Sequence, residues 1–145
     1  MYSGLVHAHS GLRWIILILL LMAIFNAFSK KSSGQWTAKD KKISLFAMIF
    51  THIQFVLGIA LYFMSDYVQF SEGFMKNPIY RFYSVEHISL MLVAIALITI
   101  GYSKSKRGLT DAKKFGAIAT FYLIGLIVML AAIPWPFRIE TAAWF

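Results

Sequence analysis

The sequence predicts an all-α membrane protein: a single domain of four transmembrane helices in an up-down-up-down bundle, with both termini outside. Three observations predict it. Of the 145 residues, 59% are hydrophobic and only 14% charged, far from the usage of a water-soluble globule. Four apolar segments, about 12–28, 43–64, 78–102 and 115–133, each approach or exceed the roughly 20 residues that cross a ~30 Å hydrocarbon layer. The lysines cluster in two of the linkers between them.

The first segment could be mistaken for a secretory leader. Its cationic cluster, Lys30 and Lys31, comes after the apolar run, and no small-residue cleavage site is obvious, so it is expected to be retained. The second segment ends at Ser65-Asp66, and its phenylalanines and methionines are expected to serve lipid contact and packing. The third opens at Pro78 and carries Glu86 and His87 ahead of an uncharged stretch that closes at Lys104. Pro134-Trp135-Pro136 ends the fourth.

Loop charge sets the expected orientation. Lys30, Lys31, Lys39, Lys41 and Lys42 join spans one and two, while Lys104, Lys106, Arg107, Lys113 and Lys114 join spans three and four. By the positive-inside rule both linkers are cytoplasmic, which puts the termini and the loop 65–77 on the opposite, periplasmic side. Trp14, Trp135, Trp144, Tyr2, Tyr67 and Tyr80 would then form an aromatic belt at the outer interface. The formal charge of +8 is thus read as topology and membrane-surface charge, and nucleic acid is not an expected partner.

Composition also narrows the chemistry. Without cysteine there is no disulfide, no thiolate zinc or iron–sulfur site, and no covalently attached c-type haem. The sequence contains no GxSxG, P-loop, GxGxxG or HExxH motif, so hydrolase, nucleotide-binding and zincin readings have no support. What remains is a set of ionisable groups inside apolar segments, where each needs a partner or a cavity.

Those groups are His9, His52 and His87, with Arg13 and Arg81 nearby; His7 reads as interfacial. Counted from the cytoplasmic lysines, His9 lies about 31 Å up, His52 about 15 Å and His87 about 25 Å, to within a helical turn. Two arrangements are compatible with these depths. His52 and His87 could approach one metal, or His9 and His87 could pair nearer the outer surface. Two imidazoles on facing helices without a thiolate suit a b-type haem, whose propionates would be served by Arg13 and Arg81. A zinc or copper ion is the rival use, although Glu86 projects about 100° away from its neighbour His87 around a helix and is a poor co-ligand. Arg13 and Glu86 lie at similar depth, so an interhelical ion pair is expected at least as much as any catalytic role. A hydrogen-bonding role for His52, beside Thr51 and Gln54, is an equal alternative to ligation.

His9-Ser10-Gly11-Leu12-Arg13-Trp14, Thr51-His52-Ile53-Gln54, Arg81-Phe82-Tyr83 with Val85-Glu86-His87, and Ile133-Pro134-Trp135-Pro136-Phe137-Arg138 together resemble a small four-helix bacterial membrane family commonly labelled cytochrome B. The resemblance runs over nearly the whole chain. It implies a multi-pass protein of the bacterial inner membrane that binds haem b and exchanges electrons with quinone or a partner redox protein. Unlike four-helix cytochromes with two haems, this chain has no histidine in its fourth span, so one haem is expected.

Three functions are therefore carried forward. The first is a membrane b-type cytochrome with one haem on His87 and on His52 or His9, an electron carrier or oxidoreductase subunit. A haem-free accessory subunit, packed against a larger respiratory or transport complex or against its own copies, is the second. The third is a transition-metal handling protein that uses the histidines.

Overall fold

The computed structural model describes residues 1–139, 142 and 144. Four helices are long and apolar enough to cross a membrane: α1 (Tyr2–Lys30), α2 (Ala38–Met64), α3 (Pro78–Arg107) and α4 (Asp111–Ala132). Among the described residues there is no strand.

The helices overrun the apolar segments. α1 begins at Tyr2, ahead of the expected start at 12, because no proline breaks the polar stretch up to Gly11 and a helix satisfies its own backbone wherever it can continue. α3 continues five residues past Tyr102, to Arg107. At the other end of α3, Asn77 accepts from the backbone N–H groups of Ile79 and Tyr80, and Pro78 sits in the first turn, where its missing N–H costs nothing.

Burial is one-sided in every helix. Ile16, Leu20, Ala23 and Ala27 make one stripe of α1, and Phe115, Ile118, Tyr122, Leu126 and Met129 make one of α4, each at the three- and four-residue spacing of a helical face. The opposite faces expose large apolar side chains such as Ile18, Phe25, Val56, Phe63 and Ile127. Such outward faces are compatible with contact with a lipid bilayer.

α3 and α4 pack closely through two glycines. A methyl group built on Gly101 would lie 2.7 Å from Phe121 Cβ, and one on Gly125 would lie 3.0 Å from Ile98 Cγ1. Small residues bring the backbones together where lipid offers no hydrophobic driving force between helices.

The end of the bundle that carries the lysine-rich linkers is fastened by a buried acid. Asp40 is fully buried and accepts from Lys30 Nζ at 2.7 Å, Asn26 Nδ2 at 2.8 Å, and Thr37 Oγ1 and N at 2.6 and 2.8 Å. It thereby caps α2 and ties it to the last turns of α1. Tyr122 Oη donates to Ser44 O at 2.7 Å, which links α4 to α2 through the core.

At the opposite end the packing loosens. The buried residues of α2 are Asp40, Ser44, Ala47 and Thr51, and none lies beyond Thr51; on α3 none lies between Ser84 and Ala94. There α2 and α3 meet through Tyr62 Oη and Ser84 O, and a cleft lies between them and α1.

Candidate functional site: a two-histidine cleft

The cleft, of about 240 Å³, is walled by α1, α2 and α3 and lined by His9, Arg13, Gln54, Gly58, Tyr62 and His87 among mostly apolar neighbours. Each of these side chains is placed by a local feature of the fold.

His87 comes directly after a widened turn. Residues Phe82–Glu86 form one π turn within α3, and such turns add a residue to the helical repeat and rotate the next side chains about the helix axis. The turn is held from both sides. Tyr62 Oη donates to Ser84 O at 2.9 Å, Gln69 N donates to Ser84 Oγ at 2.9 Å, and that hydroxyl donates to Gln69 O at 3.0 Å. Arg81 Nε meets Glu86 Oε1 at 2.7 Å, a pairing five residues apart that matches the π repeat. His87 Nδ1 then donates to Ala132 O, at 2.7 Å, beyond the last bonded turn of α4. This contact leaves Nε2 as the unprotonated nitrogen, the tautomer that suits a metal ligand.

His9 faces it from α1. The two ring centres are 6.4 Å apart with their planes at 73°. Gly58 makes room for the His9 ring: a methyl group there would sit 3.1 Å from His9 Cε1. Gln54 Nε2 donates to His9 O at 2.8 Å and fastens α2 to α1 at this level. Buried His9 Nδ1 and Gln54 Oε1 have no hydrogen-bond partner among the described residues.

Arg13, one turn from His9, is buried, with its guanidinium 5.3 Å from the Trp14 ring centre and 5.7 Å from that of Trp135. Arg13 Nη2 and Trp14 Nε1 both donate to Trp144 O, at 2.8 and 3.1 Å. Trp14, Trp135 and Trp144 pack as a cluster, with centroids 6.1 to 6.3 Å apart. Among the described residues Arg13 has no carboxylate partner, and the two indole faces attract its cation.

The histidines expected to converge separate into two places. His9 and His87 come together. His52 does not join them: its Nδ1 donates to Met48 O at 2.8 Å, and its Nε2 lies 3.2 Å from Thr99 Oγ1. Thr99 is twelve residues beyond His87, roughly 18 Å along the same helix. Thr99 Oγ1 gives its own proton to Ile95 O at 2.7 Å, so His52 Nε2 is left facing a hydroxyl oxygen, and His52 does not line the cleft. The arginines separate as well, since Arg13 lines the cleft whereas Arg81 is held by Glu86 and does not. The expected Arg13–Glu86 ion pair is thereby corrected, because the π turn brings Arg81 within reach of the carboxylate first.

Sequence reasoning missed Gly58, Ser84 and Tyr62 as parts of this site. Gly58 and Ser84 carry no local signal that singles them out.

The donor set limits what the cleft could hold. Among the described residues no three His, Cys, Asp or Glu side chains gather for a metal ion. A bare zinc ion asks for three or four protein ligands, so the two imidazoles alone leave it under-coordinated. Two imidazoles suffice where a macrocycle supplies the other nitrogens. Comparison with protein-family models, with curated proteins and with solved structures finds no match to this chain.

Proposed function

We propose that the chain is a membrane-embedded b-type electron carrier of the bacterial inner membrane, with His9 and His87 as the paired ligands of one haem b. In this reading the four helices run up-down-up-down, the lysine-rich linkers are cytoplasmic, and the cleft opens toward the periplasmic side with both termini.

One observation carries the proposal: two rings on different helices, 6.4 Å apart, line a common cleft. Two imidazoles on facing helices would be the protein ligands of an iron whose other nitrogens come from a macrocycle. The unpartnered His9 Nδ1 and the space that Gly58 leaves for its ring support the same assignment.

When bound, the haem supplies a reversible one-electron couple. The residues do the rest. Ala132 O fixes the tautomer and the orientation of His87 and raises the basicity of its free nitrogen. Arg13 puts a fixed positive charge at the wall of the cleft, where it balances propionate carboxylates and favours the more reduced, more negative state. The apolar lining excludes water. At about 240 Å³ the cleft is below the roughly 300–1,000 Å³ usual for cofactor sites. A haem would need the cleft to widen beside α2, which buries no residue beyond Thr51.

The test is an absorption spectrum of the purified protein. A Soret band with a reduced α band is expected, lost in both His9→Ala and His87→Ala and retained in His52→Ala. A colourless protein that copurifies stoichiometrically with a large complex would replace this reading with that of an accessory subunit. Loss of the bands in His52→Ala alone would reject the ligand pair.

A further inference from the structure

The lysine-rich end of the bundle holds a second concave site, on the outside of the α3–α4 pair and separate from the His9–His87 cleft. Lys104, Arg107 and Lys113 line a groove between the last turns of α3 and the first turns of α4, together with the hydroxyls of Ser103 and Thr120. No aspartate or glutamate lines it. The nearest acid of this linker, Asp111, is taken up elsewhere: it accepts from Lys114 Nζ at 3.0 Å and from Trp36 N at 3.0 Å.

The cations are arranged by their surroundings. Arg107 folds back on its own helix, with Nη2 donating to Ser103 Oγ at 2.9 Å and Nε to Ser103 O at 3.3 Å. Lys104 Nζ lies 5.7 Å from the centre of the Phe121 ring. Among the described residues none of the three cations has a carboxylate partner. Gly108 and Gly116 contribute backbone to the same wall.

The groove changes character along the helices. Its charged part lies at the helix ends, and Ile100 and Phe121, beside Thr99 and Thr120, continue it toward the middle of the bundle. Beyond them Ile124 and Ile127 are exposed on α4. Positive charge with hydroxyls at the membrane surface, running into an exposed apolar track, is the lining that a two-part ligand requires: a phosphate head and hydrocarbon tails.

We propose that this groove binds the phosphate headgroup of an anionic phospholipid, with Lys104, Arg107 and Lys113 around the phosphate and the acyl chains along Ile100, Ile124 and Ile127. The site is independent of the histidine cleft and of what the cleft holds. It makes the lysine-rich linker a specific lipid contact in addition to a topology signal.

Native mass spectrometry of the full-length protein in detergent tests it, with phosphatidylglycerol, phosphatidylcholine and inorganic phosphate as probes. The wild type is expected to retain phosphatidylglycerol at concentrations at least tenfold below those needed for phosphatidylcholine. The variant K104Q/R107Q/K113Q should lose that preference, whereas K39Q/K41Q/K42Q, which removes the same charge from the other linker, should keep it. Far-ultraviolet circular dichroism checks that each variant is folded, and R107Q alone, expected to weaken retention several-fold, serves if the triple variant is not. Equal retention of the two lipids by the wild type overturns the proposal, as does equal loss in both triple variants, which would mean diffuse surface charge. Displacement of the lipid by millimolar inorganic phosphate would overturn it too, by making the site one for the free anion.

Discussion

Hydrogen-bond partners decide between histidines that the sequence leaves equivalent. His52 and His87 both sit in apolar segments beside polar neighbours and both donate Nδ1 to a backbone carbonyl, but His87 bonds Ala132 O of α4 and faces His9 in the cleft, whereas His52 bonds Met48 O of its own helix and faces Thr99. Because the facing groups come from whichever helix packs alongside, neither outcome could be read from the chain. Gly58 is as quiet in the sequence, and its role appears only where α2 crosses His9. In Gly58→Ala the new methyl group would press on His9 Cε1 from 3.1 Å, so the ring must turn. The proposed haem should then be retained several-fold less well, with helix content unchanged, as the ratio of Soret to protein absorbance would record. Asp40 makes a prediction that does not depend on any ligand. Its carboxylate collects four donors while fully buried, and an amide in its place would turn its own N–H groups toward some of them. Asp40→Asn should lower stability by about 2–3 kcal/mol in a denaturant titration in detergent, the usual loss for hydrogen bonds to a buried charge.

Helices are where the sequence is most legible. Four apolar runs mark four helices, since a backbone in hydrocarbon has to satisfy itself and a helix does so within one segment. Helix ends are less legible, because a helix continues past its apolar stretch until a proline, a cap or a loop contact stops it. The π turn at Phe82–Glu86 was hidden for a related reason: an α-helical count from Arg81 predicts no contact with Glu86, and only the clasp of Ser84 by Gln69 and Tyr62 stabilises the wider turn. Close packing of α3 on α4 gives this scale its own test. Gly101→Ala would bring a methyl group to 2.7 Å from Phe121 Cβ and 3.2 Å from Tyr122 Cδ1, both near the core. The helices must separate slightly, at about 1–3 kcal/mol for overpacking. A matching fall in the thermal midpoint, with helix content intact at low temperature, is the expected result; an unchanged midpoint would mean that the pair is not this close.

At the level of the whole molecule the bundle is unequal from end to end. One end is fastened by Asp40, Tyr122 and the Gly101 contact, and the other carries the cleft between α1, α2 and α3, bridged by the Tyr62–Ser84 hydrogen bond. The proposed orientation can be tested directly, because the chain has no cysteine of its own. Ser33 and Ser71 are exposed in the first linker and in the loop after α2. With a membrane-impermeant maleimide on intact spheroplasts, Ser71→Cys should be labelled and Ser33→Cys only after lysis; the reverse pattern would invert the topology. Composition, segment length and lysine placement were enough to predict a four-helix membrane protein and its orientation, and of these the four helices long and apolar enough to cross a bilayer are present. Those are averages over many residues, and averages survive errors of a turn in any one position. Which histidines meet was decided by the packed bundle alone, because rotation about a helix axis and the crossing of neighbours move a side chain by more than the whole width of a two-imidazole site. A linear sequence carries depth along each helix, but the angle around it is set by contacts between helices.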